Sequence, residues 1–281
     1  MSLARSRVFQ RGAAPEEVRE VCGAFAVAGN PQGRDFGPVL QTVLEQTDRS
    51  LDRVADDVFL PGCASLAQGP QEAQNFLQAL SLLARGRLAV TPASSLCCGL
   101  ALWWAGELEA FRAHAQMVQG RLRGVRRLVV HDPACALGMR TRYAEVGVDL
   151  TVEVVSAVDF VAGLLPAEKR SVESHAQSVV FVDNCNQAEA GIPGSGFRIL
   201  KRASGENVIE VSADCCGAAG LLPQTAPDVA TAMAHRWLDS IRATAPDGAT
   251  IVTPSPRCRA HLTRTDPAIV IEDPSRLLVR M

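Results

Sequence analysis

A cysteine pattern that occurs twice constrains this chain more than any other feature. Cys63, the pair Cys97 and Cys98, and Cys135 recur as Cys185, the pair Cys215 and Cys216, and Cys258, at offsets of 122, 118 and 123 residues. Both pairs are followed by glycine, Gly99 and Gly217. Self-similarity at a near-constant offset marks a duplicated structural unit. Of the nine cysteines only Cys22 lacks a counterpart, and it is expected to be a small hydrophobe of the packed interior.

Each copy reads as strands alternating with helices. In the first, apolar runs at 58–60, 88–90, 128–130 and 150–155 are separated by helical stretches at 71–84, 108–122 and 136–146. The second has runs at 179–182, 208–211, 251–252 and 269–271. The alternation predicts an α/β protein of two tandem Rossmann-like parallel-sheet domains related by internal duplication. Its expected parts are an N-terminal helical extension (1–55, with helices at 15–28 and 37–55), a first cysteine-bearing domain (56–168) and a second (169–281). Every repeated cysteine follows an apolar run, at the carboxyl end of a strand, where open α/β sheets bind ligands. Four thiols per copy are therefore expected to meet at one rim.

Charge and compartment narrow the chemistry. With 28 basic against 30 acidic residues the net charge is -2, which gives no footprint for nucleic acid or an anionic membrane. No run approaches the ~18 apolar residues that span a bilayer, and the N-terminus lacks the apolar core of a secretory signal. The expected location is cytoplasmic, with peripheral attachment to a membrane complex left open. Disulfides are rare there, so the thiols point to metal binding or redox chemistry.

Local motifs agree. Asp132-Pro133-Ala134-Cys135 and Ser255-Pro256-Arg257-Cys258 each place a capping residue, a proline and then a cysteine in the first turn of a helix. The positive end of the helix is expected to lower the thiol pKa there, and Arg257 is expected to add positive charge beside the second set. Four thiolates suit zinc or a four-cysteine iron–sulfur cluster. The close Cys-x2-Cys knuckle of zinc sites is missing, which favours the cluster. His131 is expected to cap or pack at a strand end rather than ligate, and Trp103 and Trp104 to pack in the core. His114, His175, His235 and His261 show no ligand spacing, and no nucleotide, hydrolase or zinc-protease motif is present.

At these residues the sequence resembles the cysteine-rich CCG-domain proteins, which include the cysteine-rich polypeptide of heterodisulfide reductase, the iron–sulfur subunit of glycolate oxidase and the lactate-utilisation iron–sulfur protein. The matching positions run from about 56 to 281. The resemblance implies two tandem α/β domains, one or two iron–sulfur clusters of [4Fe-4S] type, and work as a redox subunit rather than a complete enzyme. The implied ligands are Cys63, Cys97, Cys98 and Cys135 in one set, and Cys185, Cys215, Cys216 and Cys258 in the other. The implied partners are a flavin dehydrogenase, for example one oxidising a 2-hydroxy acid, and a ferredoxin-type subunit. In heterodisulfide reductase a fifth cysteine stands where this chain has Asp132 and Ser255, so its noncubane, disulfide-cleaving chemistry does not carry over directly. Two rivals stand beside this reading: a non-redox subunit whose sets bind zinc and hold a complex together, and a metal-free dithiol oxidoreductase using the vicinal pairs.

Overall fold

The computed structural model describes residues 2–52, 55–68, 70–84, 88–164, 178–191, 196–198, 201 and 208–279. Two all-parallel sheets follow one another along the chain. The first contains β1 (Asp57–Leu60), β2 (Arg127–Val130) and β3 (Glu153–Ser156) in the order β1-β2-β3. The second contains β4 (Val179–Val182), β5 (Val208–Val211), β6 (Thr250–Val252) and β7 (Ile271–Glu272) in the order β5-β4-β6-β7. The run at 88–90 forms only a single parallel bridge, Ala89 to Val58, on the free side of β1. With that bridge in the place of β5, both sheets share one strand order, as duplication requires.

Successive strand side chains point to opposite faces, and each sheet is buried on both sides. Val58, Leu60, Leu128 and Val130 belong to one apolar cluster, and Phe59 and Val129 to another on the opposite face. The second sheet splits in the same way, with Val180 and Val182 on one side and Val179 and Phe181 on the other. Continuous apolar runs suit strands covered by helices on both faces.

Several expectations shift in detail. The expected helix at 136–146 starts earlier, at Pro133, and passes through a π turn at Gly138–Arg142 before ending at Glu145. The fourth strand of each copy lies later than its apolar run, at Glu153–Ser156 and Ile271–Glu272. The helix expected at 37–55 ends at Gln46, and a helix not expected from the sequence, Ser2–Gln10, precedes Glu16–Ala28. The expected boundary at 168/169 lies outside the described residues.

The two copies meet along a pseudo-symmetric seam. Cys63–Gln68 of the first packs on Pro256–Thr265 of the second, and Pro133–Leu137 packs on Cys185–Glu189. The helices that begin at the cysteines of one sheet therefore face those of the other. The N-terminal helices Ser2–Gln10 and Glu16–Ala28 both lie on Leu100–Ala105, just after the first cysteine pair.

Candidate metal centres

The chain geometry that gathers the first set is local. Cys63 opens a helix three residues after β1, and Cys135 lies in the first turn of the helix after β2. Asp132 Oδ1 caps that helix by accepting from the Ala134 N–H at 2.9 Å, with Pro133 in its first turn. Ser255 does the same in the second copy, its Oγ accepting from the Cys258 N–H at 3.3 Å. Gly99 and Gly217 hold φ of +78° and +85° directly after the cysteine pairs. A Cβ on Gly99 would lie 2.7 Å from the His114 ring, and one on Gly217 would lie 2.9 Å from the Ala230 carbonyl oxygen. Both turns thus need glycine for conformation and for close approach to a packed helix, Leu108–Arg121 for Gly99 and Pro227–Arg242 for Gly217.

In the first set Cys63, Cys97, Cys98 and Cys135 are all buried and free. Cys63 Sγ and Cys97 Sγ are 3.3 Å apart, and the Cys98 thiol interacts with both Cys97 and Cys135. The surrounding backbone is tied down: His114 Nε2 donates to the Cys97 carbonyl at 2.8 Å, and the Tyr143 hydroxyl donates to the Cys98 carbonyl at 2.9 Å. Hydrogen bonds from Cys135 and Cys97 hold the Cys98 pKa well below that of an ordinary thiol. The neighbouring thiols and burial push Cys97 and Cys135 up. The lowered thiol expected at the helix start is therefore not Cys135, because contact with Cys98 and burial outweigh the helix end.

The second set is arranged differently. Cys216 Sγ donates to Cys258 Sγ at 2.9 Å in a buried pair, and Asn184 Nδ2 donates to the same Cys258 sulfur at 3.1 Å. The Cys216 thiol and burial push Cys258 up as well. Cys185 and Cys215 form an exposed pair, in which the Cys185 hydrogen bond brings Cys215 down to about 6. A shared local detail links the copies: the Gly99 N–H donates to Cys97 Sγ, and the Gly217 N–H to Cys215 Sγ, each at 3.5 Å.

Arg257 does not serve the second set. It reaches across the seam, with Nε 3.5 Å from Asp132 Oδ2 and Nη2 4.0 Å from Cys63 Sγ, and its guanidinium lies 5.5 Å from the centre of the Trp104 ring. Burial pushes the Asp132 carboxyl up despite this cation. Arg259, on the same helix, pairs with Asp273 of its own copy at 2.6 Å and crosses the seam to Glu72 at 3.7 Å. His131 is buried with both ring nitrogens engaged: Nε2 donates to Asp273 Oδ2 at 3.1 Å, and Nδ1 meets Ser65 Oγ at 3.0 Å. Packing at the strand end was its expected role. Trp104 is buried, whereas Trp103 is half-buried and donates to Glu145 at 3.1 Å. Cys22 is half-buried against the first core, its pKa raised to about 11 by burial and Glu107. Asn184 carries a sequence signal, a capping residue before a cysteine-led helix, whereas nothing in the sequence announces the reach of Arg257.

The donor chemistry of the first set fits a thiolate-bound iron–sulfur group. Four free thiols are buried in contact, and Asp132 Oδ2 is a buried oxygen beside them without a hydrogen bond. Gly62 leaves room, since a Cβ there would lie 3.1 Å from Cys135 Sγ. Among the described residues no three Cys, His, Asp or Glu side chains form a ready-made site for a single metal ion.

The profile of the cysteine-rich domain family (CCG) matches the chain twice, over residues 58–140 and 179–263. The chain belongs to the cysteine-rich domain family. The two matches coincide with the two cysteine-bearing copies. It is 21% identical over 264 residues to the B subunit of the fumarate reductase (CoM/CoB) of Methanothermobacter marburgensis, covering 88% of this chain and 52% of that one. The chain thus spans about half the length of that relative. Among solved structures it is similar to glutamate racemase from Thermus thermophilus (19% identity, 82% and 79% of the two chains, TM-score 0.33). It is also similar to a putative Asp/Glu racemase from Yersinia pestis (10% identity, 80% and 96%, TM-score 0.37).

Proposed function

We propose that this chain is an iron–sulfur electron-transfer subunit of a multi-subunit oxidoreductase. The observation that carries the reading is the cluster of four buried, free thiols at the carboxyl edge of a parallel sheet, repeated in sequence across a seam. Cys63, Cys97, Cys98 and Cys135 would hold one cluster, and Cys185, Cys215, Cys216 and Cys258 the other, each of [4Fe-4S] type. Such a cluster supplies reversible one-electron storage when bound. The chain's own residues bury the first set, turn the cysteine pairs at Gly99 and Gly217, and direct N–H groups at Cys97 and Cys215.

The kinship with a reductase subunit supports a place beside other redox subunits, a flavin dehydrogenase or a ferredoxin-type protein. We place the subunit in the cytoplasm; no helix among the described residues is long and apolar enough to cross a membrane. The domain boundaries proposed are those of the duplicated copies, 56–168 and 169–281. Separate Cys135→Ser and Cys258→Ser variants, reconstituted without oxygen, test the assignment: each is expected to lose the iron of its own set and keep the other. Unchanged iron in both variants would refute it.

A further inference from the structure

The second copy packs against the first cysteine set through the helices Cys185–Glu189 and Pro256–Thr265, and it brings one charged side chain to those sulfurs. Arg257 enters from the second copy, on the helix Pro256–Thr265, and its side chain is only 15% exposed. Its guanidinium lies against three groups at once: the Asp132 carboxylate, the Cys63 sulfur and the Trp104 ring. Asp132 Oδ2 and Arg257 Nε face each other without a hydrogen bond, although both are buried. The residue at the equivalent position of the first copy is Ala134, so no arginine crosses at that position toward the second set. Cys185 and Cys215 of that set are exposed instead.

We propose that Arg257 is a positioning residue that supplies the counter-charge of the first centre from the second copy, setting its reduction potential apart from that of the second centre. The inference rests on the iron–sulfur reading above. Reduction adds one negative charge to a thiolate-held cluster, and a buried cation beside one of its sulfurs favours that charge more strongly than water would. Removing the cation lowers the potential of the first centre. The second centre, without an equivalent arginine and open to solvent, keeps its own potential.

The test is a redox titration of the full chain, reconstituted without oxygen and followed by visible absorption and EPR, for wild type, Arg257→Met and Arg257→Lys. Iron and sulfide are measured in each preparation, and the Cys135→Ser and Cys258→Ser variants assign the signals. At the wild-type midpoint of the first centre, Arg257→Met is expected to lower its reduced-to-oxidised ratio about tenfold, which is about 59 mV for a one-electron couple. Arg257→Lys is expected to restore most of the ratio, and the second centre is expected not to move. An unmoved first centre, equal shifts in both centres, or equal shifts in both variants would overturn the inference. If Arg257→Met holds no iron in the first set, retention by Arg257→Lys supports the counter-charge, whereas loss from both variants marks a structural contact and overturns it. A wild-type chain that takes up no iron overturns the iron–sulfur reading and this inference together; iron-loaded protein with unmoved variants overturns this inference alone.

Discussion

The two cysteine sets share spacing, sheet position, helix caps and the glycine turn, yet one is closed and the other half open. In the first, all four thiols are buried; in the second, Cys216 and Cys258 are buried while Cys185 and Cys215 reach solvent. The motif itself therefore does not decide exposure. What differs lies outside it. The helices Ser2–Gln10 and Glu16–Ala28 cover the stretch after Cys98, with Arg5 donating to the Trp104 carbonyl at 3.1 Å and Phe25 edge-on to His114, which itself holds Cys97. Arg257 then fills the side facing the seam. Duplication supplied two equal ligand sets, and unequal surroundings made them different.

The largest expected effect is at the seam. Asp273 is fully buried between Arg259 and His131, and although burial opposes its charge, those partners hold its carboxyl well below the usual range. Asp273→Asn leaves the buried Arg259 with only the longer Glu72 contact at 3.7 Å and is expected to cost about 3–5 kcal/mol of stability in chemical denaturation. Because the folded pKa is lowered, the contribution of Asp273 is full above the ordinary carboxylate value of about 3.9 and is lost as pH falls toward the folded one. The gap between wild type and variant should accordingly persist from neutral pH to about pH 4 and narrow below it.

Next come the paired turns. Gly99→Ala and Gly217→Ala each force an alanine into a positive φ and against a packed helix, at an expected cost of about 2–4 kcal/mol. Similar losses would show that the turns are equivalent and that the asymmetry lies around them; a free substitution at either position would show that the turns themselves differ. Thiol labelling reads the asymmetry itself. In metal-free protein Cys185 and Cys215 should react about a hundredfold faster than Cys98 and Cys135, which are reached only through local opening, with mass spectrometry of the labelled peptides as the check. Equal rates would mean that the N-terminal helices do not close the first set. The smallest effect is at the rim, where Arg142 pairs with Glu189 across the copies. Glu189→Ala should cost about 0.5 kcal/mol or less in thermal denaturation, since an exposed pair gains little.

Much of this was legible in the sequence because short-range rules govern it. Apolar runs marked β1, β2, β4, β5 and β6, and the Asp-Pro and Ser-Pro signatures located the caps of two cysteine-bearing helices. The run at 88–90 looked equally strand-like, but at the free side of β1 only Ala89 finds a partner. Ser2–Gln10 has no one-sided apolar stripe and owes its place to packing on Leu100–Ala105, which no periodicity shows. The direction in which Arg257 points was hidden for another reason: its neighbour in sequence is Cys258, yet the seam turns its side chain toward Cys63, 194 positions away. The same long-range contacts reversed the expected pKa of Cys135, where a neighbouring thiol outweighs the helix end.

Whether the duplicated thiols hold iron–sulfur clusters is decided by metal and sulfide analysis of anaerobically prepared wild-type protein, with EPR on the reduced sample. Iron and acid-labile sulfide are expected in matching amounts, with a reduction-dependent EPR signal and loss of one set's iron in Cys135→Ser. Zinc near one per set with no sulfide and no signal, or no bound metal after reconstitution, would contradict it.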